Sequence, residues 1–571
     1  MTADDRRAAW PGTEGEVHWA HCPSCGAAIY LRRLQRHEHV CPECSHHWRI
    51  GVDQRLAALL DTDSFTEIGA DLASDDPLDF VDTKPYTERV AAARRRTGSQ
   101  EAVRCGTATI EGHPLVVAAL DFRFLGGSIG ATTGEKICLA ARTALARRIP
   151  LLVVCASGGA RMQEGALSLM QLARTSQEIA RLREAGVACI NLNTDPTYGG
   201  ATASFAMLGD VVVAEPAARI GFAGPDVVEQ TIREKLPDRF QTAEFLAESG
   251  MVDLVVPRPA QRGTLARLLC LLGDPHGAAS GTVDASGSAP VVPLGGAAGG
   301  SAWDVVRSAR NLQRPTARDY CRAVFDDFVE LHGDRLSGDD QAVVGGLARL
   351  DGRTVVAVGT QKGHTPTELV ENNFGMPQPG GYHKARRMMT LAERLGVPVV
   401  TFVDTPGAFP GAEAEERGQG TAIAECILAM SRLEVPTVAL VTGEGGSGGA
   451  LSLAVGNRVL LLENAYYSVI SPEGCATILW GEAAAASTAA EVLHLTAPQL
   501  HTLGVVDRVV GEPAGGAAAD PAATAHAVRA AVTDALAELV PLPPEEVVAD
   551  RHARFARFGA PGTALVTEVA S

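Results

Sequence analysis

Residues 149–165 read IPLLVVCASGGARMQEG, and residues 397–418 read VPVVTFVDTPGAFPGAEAEERG. Each is an apolar strand, then a glycine-containing turn, then a stretch of helical composition. The first continues from Val187 as VACINLNTDPTYGGATASFAMLGDVVVAEPAARIGFAGP, the second from Val435 as VPTVALVTGEGGSGGALSLAVGNRVLLLENAYYSVISPEG. Both offsets are 248 residues (397 − 149 and 435 − 187). One order of elements thus occurs twice: strand, Gly-rich turn, helix, strand, Gly-Gly turn, small-residue helix, strand. Continuous apolar runs suit strands buried on both faces, and the intervening helices supply crossovers. Each copy therefore predicts an α/β domain with a buried, largely parallel sheet.

The 571 residues suffice for two or more domains. With 46% hydrophobic and 20% charged residues, each domain can bury an ordinary core, which excludes a wholly disordered chain. The net charge of −17 argues against a global binder of nucleic acid or anionic membrane. No apolar run reaches the roughly 18 residues that span a bilayer, and the start, MTADDRRAAWPGTEGE, lacks a signal-peptide core, so a cytoplasmic location is expected. Between the copies, Gly, Ala and Ser fill 18 of the 26 positions from Gly277 to Ala302, the composition of a flexible linker. Ahead of them, Cys22-x2-Cys25 and Cys41-x2-Cys44 are separated by fifteen residues, the spacing of a four-thiolate zinc ribbon. Such a closed site is structural. The other eight cysteines read as small core residues. The expected layout is a tail over 1–17, a ribbon over 18–53, domains over 54–275 and 303–556, a linker over 276–302 and a tail over 557–571.

The most informative turns are Thr197–Ala201 (TYGGA) and Ser447–Ala450 (SGGA), each between a strand and a small-residue run. Paired glycines admit a ligand to the backbone, and free N–H groups at a helix start favour negative charge. Such a turn can serve as an oxyanion hole, each donor contributing roughly 3–4 kcal/mol. The plain alternative is a tight turn in which glycine permits close packing; recurrence in both copies weighs against it. Four other patterns fit less well. Gly443–Gly448 matches G-x-G-x-x-G with Glu463 twenty residues on, a dinucleotide fingerprint absent from the first copy. G-x-S-x-G occurs around Ser128 and around Ser447, but no His or Asp is marked as a partner for a nucleophile. Arg94, Arg95 and Arg96 read as a solvated helix end or a contact for coenzyme phosphates. Arg32, Arg33, Arg36 and Arg49 of the ribbon read as solvated surface, or as a lid or nucleic-acid contact.

The ribbon, SGGARMQEG (Ser157–Gly165), DPTYGG (Asp195–Gly200) and GFAGP (Gly221–Pro225) together resemble the β subunit of bacterial acetyl-CoA carboxylase carboxyltransferase. QRPTARDY (Gln313–Tyr320), NNFGMPQPGGYHKA (Asn372–Ala385), DTPGAFPG (Asp404–Gly411), GEGGSGGA (Gly443–Ala450) and SPEGCA (Ser471–Ala476) resemble its α subunit. The chain is similar to a β–α fusion of subunits that are usually separate. The resemblance implies two crotonase-like (spiral ββα) domains in tandem behind a C4 zinc ribbon. It implies transfer of a carboxyl group from N-carboxybiotin, on a biotin carboxyl carrier protein charged by biotin carboxylase, to acetyl-CoA. The product is malonyl-CoA for fatty-acid or polyketide synthesis. In that chemistry the ureido nitrogen of biotin takes the α-proton, so no side-chain base is needed. Carried over, Gly199 and Gly200 stabilise the thioester enolate, and Gly448 and Gly449 hold the ureido oxygen. Gly158, Gly159, Gly445 and Gly446 line the cofactor, and Cys22, Cys25, Cys41 and Cys44 hold structural Zn2+.

One departure stands out. Only Ala302 to Leu312 precede QRP, where the separate α subunit carries a helical extension of several dozen residues. A homodimer of fused chains is expected nonetheless. Propionyl-CoA is the alternative acceptor, since one methyl group changes pocket packing by only about 1–3 kcal/mol. A crotonase-fold hydratase, isomerase or thioester hydrolase would need a carboxylate base, for which Glu164, Glu415 and Glu416 are candidates. A nucleic-acid-binding regulator would use the basic ribbon.

Overall fold

The computed structural model describes residues 19–233, 235–273, 275 and 300–558. The chain divides into two compact units, Met1–Gly273 and Asp274–Ser571. Most of the expected linker, from 276 to 299, lies outside the described residues, as does nearly all of both expected tails. Its last positions do not: Ser301 caps the helix Ala302–Ala309, its hydroxyl accepting from Asp304 N. Among the described residues no helix is long and apolar enough to cross a membrane.

Each unit holds one eight-stranded sheet, and the two sheets share a plan. In the first, His113–Leu120, Leu151–Ser157, Cys189–Tyr198, Val211–Ala214 and Leu254–Val255 run parallel in that order. Val103–Ile110 pairs antiparallel with His113–Leu120. In the second, Arg353–Thr360, Val399–Thr405, Thr437–Gly446, Arg458–Leu462 and Arg508–Val510 run parallel, with Val343–Leu350 antiparallel at the front. The expected parallel sheet is therefore present, but a front hairpin precedes it in each unit. Leu151–Val154 and Val399–Val403 are buried throughout, which is why their sequences show no alternation.

The 248-residue offset holds at single-residue precision in the core. Leu151–Ser157 matches Val399–Thr405, Cys189–Tyr198 matches Thr437–Gly446, and the helix Ala131–Arg147 matches Pro379–Leu395. Even the irregularity repeats: pairing slips before Ser157↔Thr197 in one sheet and before Thr405↔Gly445 in the other. The front hairpins are offset by 240 residues (343 − 103 and 353 − 113). The second unit makes up the difference in the segment 361–378, which carries the extra helix Pro366–Glu371.

In the ribbon, Trp19–His21 pairs with Ala28–Tyr30 over a small core of Cys22, Ile29, Leu34, Cys41 and Trp48. The ribbon is fastened to the rest of its unit by Arg258, whose guanidinium donates to Glu38 O (2.9 Å) and Trp48 O (3.0 Å). Arg258 and Arg55 share the buried carboxylate of Glu215, at 2.9 and 2.5 Å. Burial would raise that carboxyl, but the two guanidinium charges outweigh it and hold it well below the usual range.

Candidate functional site

The four ribbon thiols converge. Their sulfurs lie within 4.8 Å of one another, with Cys22–Cys44 at 3.7 Å and Cys25–Cys41 at 3.9 Å. A tetrahedral zinc with Zn–S bonds of about 2.3 Å sets its sulfurs about 3.8 Å apart, so the cluster fits that ion. Two of the nearby histidines are otherwise engaged: His21 Nδ1 meets Gly26 O (3.2 Å) and His47 Nε2 accepts from Arg258 N (3.1 Å). Four thiolates close the coordination shell, and the zinc is structural.

The glycine turns sit where parallel strands end side by side. In the first unit Gly158–Ala160 leave the strand Leu151–Ser157, and Gly199–Gly200 leave Cys189–Tyr198. Most of these amides are spent locally. Gly158 donates to Gly126 O (2.8 Å), Gly159 to Ser157 Oγ (3.1 Å), and Gly199 to Gly221 O (3.2 Å). Ala160 N–H and Gly200 N–H have no acceptor among the described residues. The two lie close together, since a Cβ on Gly200 would come 3.3 Å from Ala160 N. Gly199 adopts a left-handed backbone, φ +60°.

The second unit repeats this arrangement. Gly407 N–H donates to Thr405 Oγ1 (3.0 Å), as Gly159 does to Ser157. Ala408 N–H has no acceptor among the described residues, and neither do the first-turn amides of Gly448 and Gly449 in the short helix Ser447–Leu451. A Cβ on Gly449 would come 2.4 Å from Ala408 N. The residue-by-residue register (408 − 160 and 448 − 200) pairs Ala160 with Ala408 and Gly200 with Gly448. Gly199 then corresponds to Ser447, which is also left-handed at φ +55°. The two Gly-Gly pairs seen in sequence are thus one residue out of register. The alanines following the first turn of each unit are the donors that sequence patterning missed.

The remaining candidates fall into place around these amides. Gly445 and Gly446 lie inside the strand Thr437–Gly446, and a Cβ on Gly446 would come 2.1 Å from Pro406 O. Because glycines from Gly443 to Gly446 are strand residues and the helix after them has five residues, the dinucleotide pattern has no phosphate-binding loop. Ser128 is held by Arg161 Nε (3.1 Å), and no histidine bonds Ser447 among the described residues. Arg94 donates to Ser74 O and Arg96 to Arg123 O, so both serve the fold. Arg49 is not solvated surface: it is half-buried, held against Asp195 (3.0 Å) and over the Phe122 ring (4.8 Å). Of the eight other cysteines, seven are buried and Cys270 is exposed.

Of the three carboxylates expected as candidate bases, Glu164 is tied down and the other two lie at the surface. Glu164 is buried, and its oxygens accept from Tyr86 Oη (2.7 Å), Arg161 (3.2 Å) and Ala131 N (2.6 Å). Glu415 and Glu416 are exposed on the helix Ala412–Glu416. In the second unit, Asp404 and Glu444 are both bound at 2.7 Å by Lys362.

Two family models match the chain. One, described as acetyl co-enzyme A carboxylase carboxyltransferase-like, covers residues 300–559; the other, the acetyl-CoA carboxylase zinc finger domain, covers 19–44. A curated protein from Saccharopolyspora erythraea, named acetyl-coenzyme A carboxylase carboxyl transferase subunits beta/alpha, is 62% identical over 96% of this chain and 95% of its own length. One of the same name from Parafrankia is 53% identical over 99% of this chain and 95% of its own. Among solved structures, a transcarboxylase 12S with methylmalonyl-coenzyme A bound superposes with a TM-score of 0.67 and 25% identity, covering 89% of this chain and 92% of that one. The tandem domains are crotonase-like. The chain belongs to the family of fused β/α carboxyl transferase subunits of acetyl-coenzyme A carboxylase.

Proposed function

We propose that the chain transfers the carboxyl group of carboxybiotin to acetyl-CoA, giving malonyl-CoA. A C–H bond of the acetyl methyl breaks and a C–C bond to the carboxyl carbon forms. The N–C bond of the carboxybiotin breaks, and the proton ends on the released ureido nitrogen. During the transfer, negative charge develops on the thioester oxygen and on the ureido oxygen. Ala160 and Gly200 N–H would receive the first, and Ala408 with Gly448 and Gly449 N–H the second. The glycines at 158, 159, 199, 445 and 446 let the backbones close on those donors. Donors that meet charge only as it develops raise kcat rather than tighten substrate binding. The observation that carries this reading is the pair of amides without an acceptor among the described residues, at one register in both units, with Glu164 tied down and Glu415 and Glu416 at the surface. A hydratase or hydrolase would need one of those carboxylates free.

The domain limits proposed are 54–275 and 303–556. Biotin carboxylase and its carrier protein are the working partners, the compartment the cytoplasm, and the assembly a homodimer of fused chains. Exposed apolar side chains support the last point, Met162, Leu169 and Met170 in the first unit and Ile478, Leu479 and Trp480 in the second.

The test is incubation of zinc-loaded chain with malonyl-CoA and biocytin, with methylmalonyl-CoA in parallel. Acetyl-CoA formed only when biocytin is present is the expected result, at a higher rate than propionyl-CoA. Biotin-independent loss of the thioester would replace this reading with hydrolysis, and a faster methylmalonyl-CoA reaction would replace the acceptor.

A further inference from the structure

The ribbon does more than cover its unit: it reaches the turn that presents Gly200. Arg49, five residues beyond Cys44, donates from Nε to Asp195 Oδ2 at 3.0 Å. The other oxygen of Asp195 accepts from Arg219 N (3.1 Å) and Arg219 Nε (3.0 Å). Burial would raise the Asp195 carboxyl, but Arg49 and Arg219 outweigh that and hold it below the ordinary range. Arg219 O in turn accepts from Thr197 N (2.9 Å), and Gly221 O accepts from Gly199 N–H (3.2 Å). That last bond removes Gly199 from service and leaves Gly200 N–H as the free donor beside Ala160.

The second unit has no ribbon, yet it solves the same problem with the same parts. Its leading helix Ala302–Ala309 ends at Arg310, which donates from Nε to Glu444 at 2.7 Å. Glu444 lies three residues before Ser447, as Asp195 lies four before Gly199. Glu444 also accepts from Tyr466 Oη (2.7 Å), on the short strand Tyr466–Ser468 that pairs with Glu444–Gly446. Asp195 likewise ties to Arg219, which leads into the short strand Ile220–Gly221 pairing with Thr197–Tyr198. In both units an arginine from the element ahead of the domain grips a carboxylate at the strand end, and that carboxylate grips the short strand beside the turn.

We propose that Arg49 is a positioning residue for the first unit's amide pair, acting through Asp195 and Arg219, and that Arg310 plays the corresponding part in the second. This rests on the assignment of Gly200 N–H to the thioester oxygen. A donor that matters only in the transition state, if displaced, lowers kcat and leaves KM in place; small displacements cost up to about a hundredfold.

The experiment uses the full zinc-loaded chain, with biocytin-dependent decarboxylation of malonyl-CoA as the assay and zinc content measured for each variant. Arg49→Met is expected to keep its zinc, to lose about ten- to a hundredfold in kcat, and to change KM for malonyl-CoA by less than about twofold. Arg49→Lys should recover part of the loss. Asp195→Asn combined with Arg49→Met should be no slower than the slower single variant, because both break one chain of contacts. Arg310→Met should lose less, since Lys362 and Tyr466 still hold Glu444. A rise in KM with kcat intact, losses that multiply in the double variant, or full activity in Arg49→Met would each overturn the proposal. Should Arg49→Met lose its zinc, Arg49→Lys and Asp195→Asn decide alone: wild-type kcat in both would overturn it. An inactive wild-type chain would instead strike the carboxyl-transfer reading itself.

Discussion

In the first unit the residue after the free alanine amide is Arg161; in the second it is Phe409. Arg161 is wholly buried, donating to Glu101 (2.5 Å), Ser74 (2.8 Å), Tyr86 (3.0 Å) and Glu164 (3.2 Å). Phe409 has no polar side chain to build such a shell, although its N–H bonds Pro377 O (3.1 Å) as Arg161 N–H bonds Ile129 O (2.9 Å) at the matching register. The second unit keeps its buried charge elsewhere, where Lys362 binds Asp404 and Glu444 at the strand ends. The backbone around the amides is alike in the two units, while the side chains that support it differ. On the proposed reading, the chemistry depends on where the amides point and accepts more than one way of holding them there.

The strongest break in this comparison is Arg161→Leu. It would strand Glu101 and Glu164 as buried carboxylates, and removing one partner of such a set costs about 3–5 kcal/mol. Hydrogen exchange should show lost protection around Ala131–Arg147 and Tyr86–Thr97, while Pro379–Leu395 in the other unit stays protected. Equal loss in both units, or a cost under about 1 kcal/mol, would show that the shell is not what holds the first unit's turn. Next in size is Gly449→Ala. Its register partner is Ala201, which the first unit accommodates fully buried, yet at 449 a Cβ would strike Ala408 N at 2.4 Å. Biocytin-dependent turnover should fall about 10²–10³-fold, the effect of losing one oxyanion donor. Gly448→Ala, with nothing nearer than Ile423 Cγ2 at 3.8 Å, should fold normally and lose less. Turnover in Gly449→Ala close to wild type would remove Ala408 from the site.

Much of this was legible in the sequence, for a physical reason. A parallel strand buried on both faces is mostly apolar and does not alternate, so Leu151–Val154 and Val399–Val403, with Thr401 the one polar residue in the two runs, announce themselves, as do four cysteines at ribbon spacing. The glycine pairs were visible too, but composition cannot say which amides are already spent. Gly199 and Gly200 look alike as letters; only the bond from Gly199 to Gly221 O distinguishes them. Ala160 and Ala408 carry no signal beyond their place after a turn, because an amide donor leaves no mark on its side chain. Arg49 looked like one more ribbon cation, since its partner Asp195 lies 146 residues away. The front hairpins escaped the 248-residue comparison because the segment 361–378 shifts them to an offset of 240.

A subtler contrast concerns acid. Burial would raise the Glu444 carboxyl, but Lys362, Arg310 and Tyr466 outweigh it and bring it to about 2. A carboxylate depressed in the folded state adds stability above its unfolded pKa, about 4.5, and loses it as pH falls toward 2. The full shift corresponds to about 3 kcal/mol. Glu444→Gln should be less stable than wild type at neutral pH, because Lys362 and Arg310 lose a charge partner. Its second unit should nevertheless weaken less between pH 4.5 and 2.5. Parallel acid-unfolding curves for the two proteins would show that Glu444 is not the titrating group.

The smallest effect sharpens the comparison most finely. Gly126 and Phe374 share the 248-residue register and one backbone conformation, φ +69° and ψ +24° against φ +56° and ψ +23°. Glycine adopts that region freely, whereas a side chain there costs about 1–2 kcal/mol. The second unit carries this strain at a phenylalanine that is 47% exposed, so burial of the ring repays little of it. Phe374→Gly relieves the strain but gives the unfolded chain about 0.5–1 kcal/mol more freedom. The balance is a gain of about 0.5 kcal/mol, or roughly 1–2 °C in the melting of the second unit. Gly126→Ala tests the same backbone from the other side: a Cβ there meets only Phe122 Cε2, at 4.0 Å, so any loss of stability reports conformation rather than collision. If Phe374→Gly instead destabilised its unit by more than about 1 kcal/mol, the ring would be shown to hold the segment Asn372–Pro377 in place. The two units would then share a backbone at this position without sharing the reason for it.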